Sequence, residues 1–228
     1  MTEETASAAA TNPEENAPQA PEALSEEAKE PENPAEAVEA TDPNNPPENG
    51  IHKVYEEGAL RRTSTYKDGL LEGETLIYDD QGRIEQRMFY KAGLMDGPCL
   101  MFTDGALTFQ GGYVAGKQEG ITIIYKENGF PASYTAYKAG KPDGLMIAYG
   151  EKGLPVQCVC YKEGKKSGPM ALYYENGFVM QQGQYENDAE EGVFLKFYDN
   201  HALMEESEFQ KGTVVKGPIK YTPDGKKA

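Results

Sequence analysis

Aromatic side chains return along this chain with a period close to 24 residues. One stands at Tyr66, Tyr90, Tyr113, Tyr137, Tyr161, Tyr185 and Phe209, at spacings of 24, 23, 24, 24, 24 and 24. Twelve residues after each comes a second aromatic: Tyr78, Phe102, Tyr125, Tyr149, Tyr173, Phe197 and Tyr221. Two residues before that lies an apolar side chain: Leu76, Leu100, Ile123, Ile147, Ala171, Leu195 and Ile219. The i, i+2 relation is the period of a strand with a buried face, and the runs are too short for helices. Ile77, Met101, Ile124, Ala148 and Leu172 alternate with this row, so both faces of the strands are expected to be partly apolar.

Glycines punctuate the strands. One reversal per unit is expected at Gln81-Gly82, Asp104-Gly105, Asn128-Gly129, Lys152-Gly153, Asn176-Gly177 and Asp224-Gly225, because Asn-Gly and Asp-Gly tolerate the positive φ of tight hairpin turns. A second is expected at glycines four apart: Gly69 and Gly73, Gly93 and Gly97, Gly116 and Gly120, Gly140 and Gly144, Gly164 and Gly168. Two turns per unit leave two strands of roughly 6 to 8 residues. The phase decays late: Asp188 replaces a glycine, His201 stands at a turn position, and Gly212 and Gly217 are five apart. Terminal repeats, which cap a stack, commonly deviate in this way.

The expectation is an all-β fold, tandem hairpin repeats forming one elongated, twisted antiparallel meander of roughly fourteen strands, curled by its glycines into a trough. The array occupies 51–228, with a partial unit at 51–65 opening at Tyr55 and Gly58. Full units start at 66, 90, 113, 137, 161 and 185, and a truncated one at 209.

Units of the form Tyr-x-x-Gly-x-x-x-Gly with a following aromatic resemble MORN repeats. With their Tyr-Lys-x-Gly openings and Asn-Gly second turns, they are most similar to the variant MORN units of bacterial YwqK-type antitoxin proteins. The resemblance covers about Tyr55 to Ala228. It implies a non-enzymatic binding surface whose partner is a protein, toxin-like in the YwqK-type case. A peripheral membrane or envelope scaffold is the alternative that the wider family suggests.

Charge divides the chain. Of the formal net charge of −16, residues 1–50 contribute −12, from thirteen acidic side chains and one lysine, Lys29. That stretch also holds eight of the fifteen prolines, no aromatic residue and one glycine. It has too little apolar surface to offset the entropy of ordering, so a disordered acidic tail is expected there. Residues 51–228 carry −4, without basic stripes, which argues against nucleic acid and against anionic lipid. Cys99, Cys158 and Cys160 are too few for a disulfide framework, and a reducing compartment is expected. No signal peptide and no apolar run near 18 residues is present, so the expected location is cytoplasmic.

Catalytic chemistry finds no anchor in the sequence. His52 and His201 have no ligands at metal spacing, and no nucleophile elbow, phosphate loop or dinucleotide fingerprint occurs. Neither an enzyme nor a cofactor is expected. The candidate binding positions follow the first glycine of each unit, where they crown one rim: Leu94, Met95, Gln118, Lys141, Pro142, Lys165 and Val214. Glu186, Asp188, Glu190 and Glu191, with Glu205, Glu206 and Glu208 on the facing strand, form an acidic cluster suited to a basic partner. The two aromatic rows are expected to be ladders holding the units together, each cross-strand contact contributing about 0.2 to 1 kcal/mol.

Overall fold

The computed structural model describes residues 45–228, and within them the chain is all β. The strands are β1 (Gly50–Glu56), β2 (Ala59–Lys67), β3 (Leu70–Tyr78), β4 (Ile84–Lys91), β5 (Leu94–Thr103), β6 (Ala106–Val114), β7 (Lys117–Gln118) and β8 (Gly120–Tyr125). They continue as β9 (Pro131–Lys138), β10 (Lys141–Tyr149), β11 (Pro155–Lys162), β12 (Lys165–Tyr173), β13 (Val179–Glu186), β14 (Ala189–Phe197), β15 (Leu203–Gln210) and β16 (Thr213–Lys220). All join one antiparallel sheet in chain order, so the meander is borne out. The expected acidic tail lies outside the described residues except for its last six.

Sixteen strands stand where about fourteen were expected. Part of the difference is at Glu119, which splits one strand into β7 and β8. Its N–H donates to the Gly112 carbonyl at 2.9 Å, and a Cβ on Gly112 would lie 2.8 Å from the Glu119 carbonyl oxygen. The rest is at the N-terminus. Gly50 pairs with Tyr66 as Gly73 pairs with Tyr90, so Tyr55 is the second aromatic of an earlier unit rather than the start of a half-unit. Strands are mostly 8 or 9 residues, longer than expected, because one turn of each unit takes only two residues.

The two glycines of each pair do different work. The first closes a two-residue turn in which both positions have positive φ, as at Ala92 (48°) and Gly93 (80°). The second lies inside the following strand: between Val159 and Tyr161 the partner strand β12 spends four residues, Lys166 to Met170, where β11 spends two. Gly168 (φ 106°) absorbs this bulge. At the opposite rim the Asn-Gly tips use positive φ only at the glycine, and the asparagine contributes its side chain instead. Asn128 and Asn176 accept the N–H of Phe130 and Phe178, each at 3.1 Å. The one 23-residue spacing has lost a residue at such a tip, leaving the two-residue turn Asp104-Gly105 with φ of 53° and 81°.

One residue from each strand except β7 and β16 forms a central row that is buried or half-buried. Its cross-strand partners run His52–Ser64–Thr75–Met88–Cys99–Gly111 and then Thr122–Thr135–Met146–Val159–Met170–Gly183. Phe194 and Ser207 continue it. Tyr161, Tyr185 and Phe209 pack over this row, with Tyr185 and Phe209 edge-on to Phe194 at 5.8 and 5.0 Å. The first aromatic ladder therefore covers the face that holds the core. The second, through Tyr149 and Tyr173, lies on the other face.

Candidate functional site

Both rims are laddered from unit to unit. On the two-residue-turn rim, each turn donates to the unit before it. The N–H groups of Gly93, Gly116, Gly140 and Gly164 reach the carbonyls of Leu71, Met95, Gln118 and Pro142 at 2.9, 2.8, 2.8 and 2.7 Å. At five turns the residue ahead of the turn glycine is held by a carboxylate, and at the Gly69 turn by the Asn49 side-chain oxygen. Ala92, Ala115, Ala139, Glu163 and Lys211 donate their N–H to Glu72, Asp96, Glu119, Asp143 and Glu191 at 2.8 to 3.1 Å. These caps were not foreseen. Their signal is an acid directly before the second glycine of most units, legible as Glu-Gly or Asp-Gly but easily taken for solvated turn charge.

The ladder fixes the role of several candidate positions. Met95, Gln118 and Pro142 are half-buried and give their carbonyls to it. Leu94, Lys141 and Lys165 are exposed, as is Val214. In the acidic cluster, Asp188 occupies the glycine position with a φ of 70°, and its carboxylate accepts the Lys166 N–H at 2.8 Å. Glu191 caps Lys211, Glu205 pairs with Lys196 at 2.9 Å, and the Glu190 carbonyl accepts the Gly212 N–H. Glu186 is exposed and outside this framework. Asp188, Glu190 and Glu191 thus take part in joining successive turns, while Glu186 stays exposed on the same hairpin.

The tip rim is tied differently. The Tyr174 hydroxyl donates to the Phe197 carbonyl at 2.8 Å, and Tyr198 does the same to Tyr221 at 2.9 Å. Phe178 meets His201 in a tilted contact with ring centroids 3.7 Å apart. Ion pairs join successive tips, among them Arg83–Asp104 at 3.1 Å.

Between the rims, the face opposite the core is open. It carries a trough of about 600 Å³ lined by residues that include Leu145, Cys158, Cys160, Pro169, Tyr173, Gln182, Gln184 and Val193. Leu145 and Val193 remain 40% and 49% exposed. Cross-strand partners show how far this surface extends: Gln110–Ile123–Tyr134–Ile147–Cys158–Ala171–Gln182–Leu195 runs from β6 to β14 without a charge. The flanking Ile121–Ala136 and Leu145–Cys160 pairs are equally neutral. Burial pushes the Cys158 thiol up, against a hydrogen bond from Tyr173 and with Cys160 adding to the rise. Burial, the Cys158 charge and the hydrogen bond to Cys158 raise Tyr173. Both groups stay protonated near neutral pH, so the trough floor offers neutral, weakly polar groups. Among the described residues no group of three or more His, Cys, Asp or Glu side chains could hold a metal ion, and no helix is long and apolar enough to cross a membrane.

The chain matches no protein-family model, and comparison with curated proteins gives no match.

Proposed function

We propose that the chain is a non-catalytic repeat scaffold for protein–protein recognition, in the manner of the YwqK-type antitoxin or immunity proteins that its units resemble. The observation that carries this reading is the uncharged face from β6 to β14. Eight adjacent strands span about 35 Å at the usual strand spacing, a length suited to a standard protein interface. The turn glycines, carboxylate caps and aromatic ladders are used in joining units. Partner choice then falls to the residues between them, above all those on the open face, where Leu145 and Val193 line the trough and remain exposed.

The test is affinity capture from native lysate with the full chain and with Leu145→Glu/Val193→Glu, with strand content of both checked by circular dichroism. The expected result is a discrete protein retained by the parent chain and lost from the double variant. Equal retention by both would remove the open face from recognition. Failure to retain any protein, with binding to phosphatidylglycerol vesicles instead, would favour the membrane-scaffold alternative.

A further inference from the structure

No basic stripe stands out along the sequence, yet the fold gathers a block of cations on the two-residue-turn rim that the repeat framework does not use. Lys138 and Lys141 are cross-strand partners at one turn, and Lys162 and Lys165 are partners at the next. Like charges directly opposite one another destabilise a hairpin. Among the described residues none of these four makes an ion pair, and neither does Lys117 beside them. Lys117 packs its stem by Gly140, and Lys141 packs by Gly164, where an added Cβ would lie 3.6 and 3.7 Å away. The stems are thus ordered one unit apart while the side chains remain exposed.

The acids close by are largely committed. Glu119 and Asp143 cap the turn amides of Ala139 and Glu163, which leaves Glu163 as the free carboxylate on these turns. On the following turn the sign reverses, with Glu186 and Asp188. The basic block therefore covers three turns, about 20 Å at strand spacing, and stops abruptly at the Glu186 and Asp188 turn, while Lys91 stands at the turn before it. It lies beside the trough: Lys141 and Lys165 precede Leu145 and Pro169 by four residues on the same strands, about 13 Å along the chain.

We propose that the trough and this lysine rim form one site for a short acidic polypeptide segment of a partner protein. Apolar side chains of the segment fill the neutral trough, and its carboxylates lie across Lys138, Lys141, Lys162 and Lys165. This rests on the protein-recognition reading above and names its partner's chemistry. A long polyanion, whether nucleic acid or anionic bilayer, carries its charge onward into the Glu186 and Asp188 turn and is repelled there. A short acidic run ends before it. The bound carboxylates also relieve the repulsion within each lysine pair.

The experiment is fluorescence anisotropy of the full chain with short labelled peptides that alternate leucine with glutamate, glutamine or lysine, beside an oligothymidylate and phosphatidylglycerol vesicles. The Leu/Glu peptide is expected to bind most tightly and to weaken at least about tenfold between about 50 and about 500 mM salt. A similar loss is expected in Lys138→Gln/Lys141→Gln/Lys162→Gln/Lys165→Gln, a surface variant expected to melt no lower than the parent because it removes two like-charge pairs. Leu145→Glu is expected to lose the Leu/Glu peptide as well. Equal binding of the Leu/Gln peptide, undiminished binding by the quadruple variant, or tighter binding of the oligothymidylate or the vesicles would overturn the proposal. If the protein captured from lysate is retained equally by the quadruple variant, the lysine rim is excluded while protein recognition stands. If the parent chain captures no protein, the recognition reading itself falls.

Discussion

Replacing Gly183 by alanine tests whether the buried row is packed as tightly as its geometry requires. Gly183 is not in the left-handed region, so its backbone accepts alanine without strain. Removing a glycine also restricts the unfolded chain, which by itself stabilises by about 0.4–1 kcal/mol. The opposing term is steric. A Cβ at this position would lie 2.5 Å from Cδ1 and from Cε1 of Phe194 and 2.6 Å from its Cγ. Carbon atoms prefer about 3.5–4.0 Å, so the ring must retreat by about 1 Å or more. Phe194 is 4% exposed and packs against Met170, Tyr185 and Phe209, so retreat of the ring disturbs these contacts. Overpacking of this kind costs about 1–3 kcal/mol, and expelling the ring altogether would approach the roughly 3–5 kcal/mol of a Phe→Ala truncation. After the backbone gain is set against it, the expected net loss is about 2 kcal/mol. Urea unfolding of the full chain, followed by circular dichroism with tyrosine emission as a second probe, would read it as a lower midpoint. Because repeat arrays can open unit by unit, coincidence of the two probes is part of the measurement. The pair Gly183→Ala/Phe194→Leu should recover about 1 kcal/mol relative to the sum of its single changes, since leucine vacates the space. A neutral or stabilising Gly183→Ala, or a double variant additive to within about 0.5 kcal/mol, would refute the packing argument.

Two further outcomes follow from the turns and the tyrosines. Ala139 sits at φ 50° in front of Gly140, a region that disfavours alanine and suits asparagine; Ala139→Asn should raise stability by about 0.5–1 kcal/mol, and a fall in midpoint would contradict the turn assignment. Burial raises Tyr90, Tyr113, Tyr125, Tyr149, Tyr173 and Tyr185 above 10.0, and Cys99 and Cys158 above 9.0. Groups raised on folding contribute stability that is complete below their unfolded values and is lost as pH rises through the folded ones. The melting temperature should therefore fall from about pH 9 upward, with tyrosinate absorbance lagging behind that of the unfolded chain. A flat melting profile up to about pH 11 would count against burial of these rings.

The period was legible because every unit repeats the two aromatics and most repeat the turn glycines. The buried row was not, because its members at equivalent positions are Thr75, Cys99, Thr122, Met146, Met170 and Phe194. Their burial comes from the rings packed over them, so no constant side chain is demanded and no pattern marks the row. A reversal at Gly140 was expected, but its two-residue form was not: Ala139-Gly140 adopts the geometry that Asn128-Gly129 advertises but does not use. The hydrogen bond from a neighbouring unit, and the Glu119 carboxylate, hold Ala139 where its own preference would not. Of the candidate positions, Lys141 and Lys165 lie at the two-residue turns, where the glycine spacing puts them. A trough was expected from the glycines but its lining was not, since the sequence does not say on which face Cys158, Gln182 and Val193 come together. The acidic residues were visible, but their use as turn supports depends on contacts about 20 residues away in sequence, as between Glu191 and Lys211.

The bond from each turn glycine to the preceding unit has a consequence for how such a chain can change length. Donor and acceptor are about one period apart, as in Gly140 to Gln118 and Gly164 to Pro142. Whole units can therefore be duplicated or excised, and the new neighbours meet with every donor already facing an acceptor. Single-residue changes are not equivalent at the two rims. The tip at Asp104-Gly105 has shed a residue and kept its hairpin, whereas the turn rim, bound to its neighbour through the main chain, keeps its spacing in every interior unit. Lineages of this array should vary by whole periods and by tip length, and hardly at all along the rim that carries the lysines.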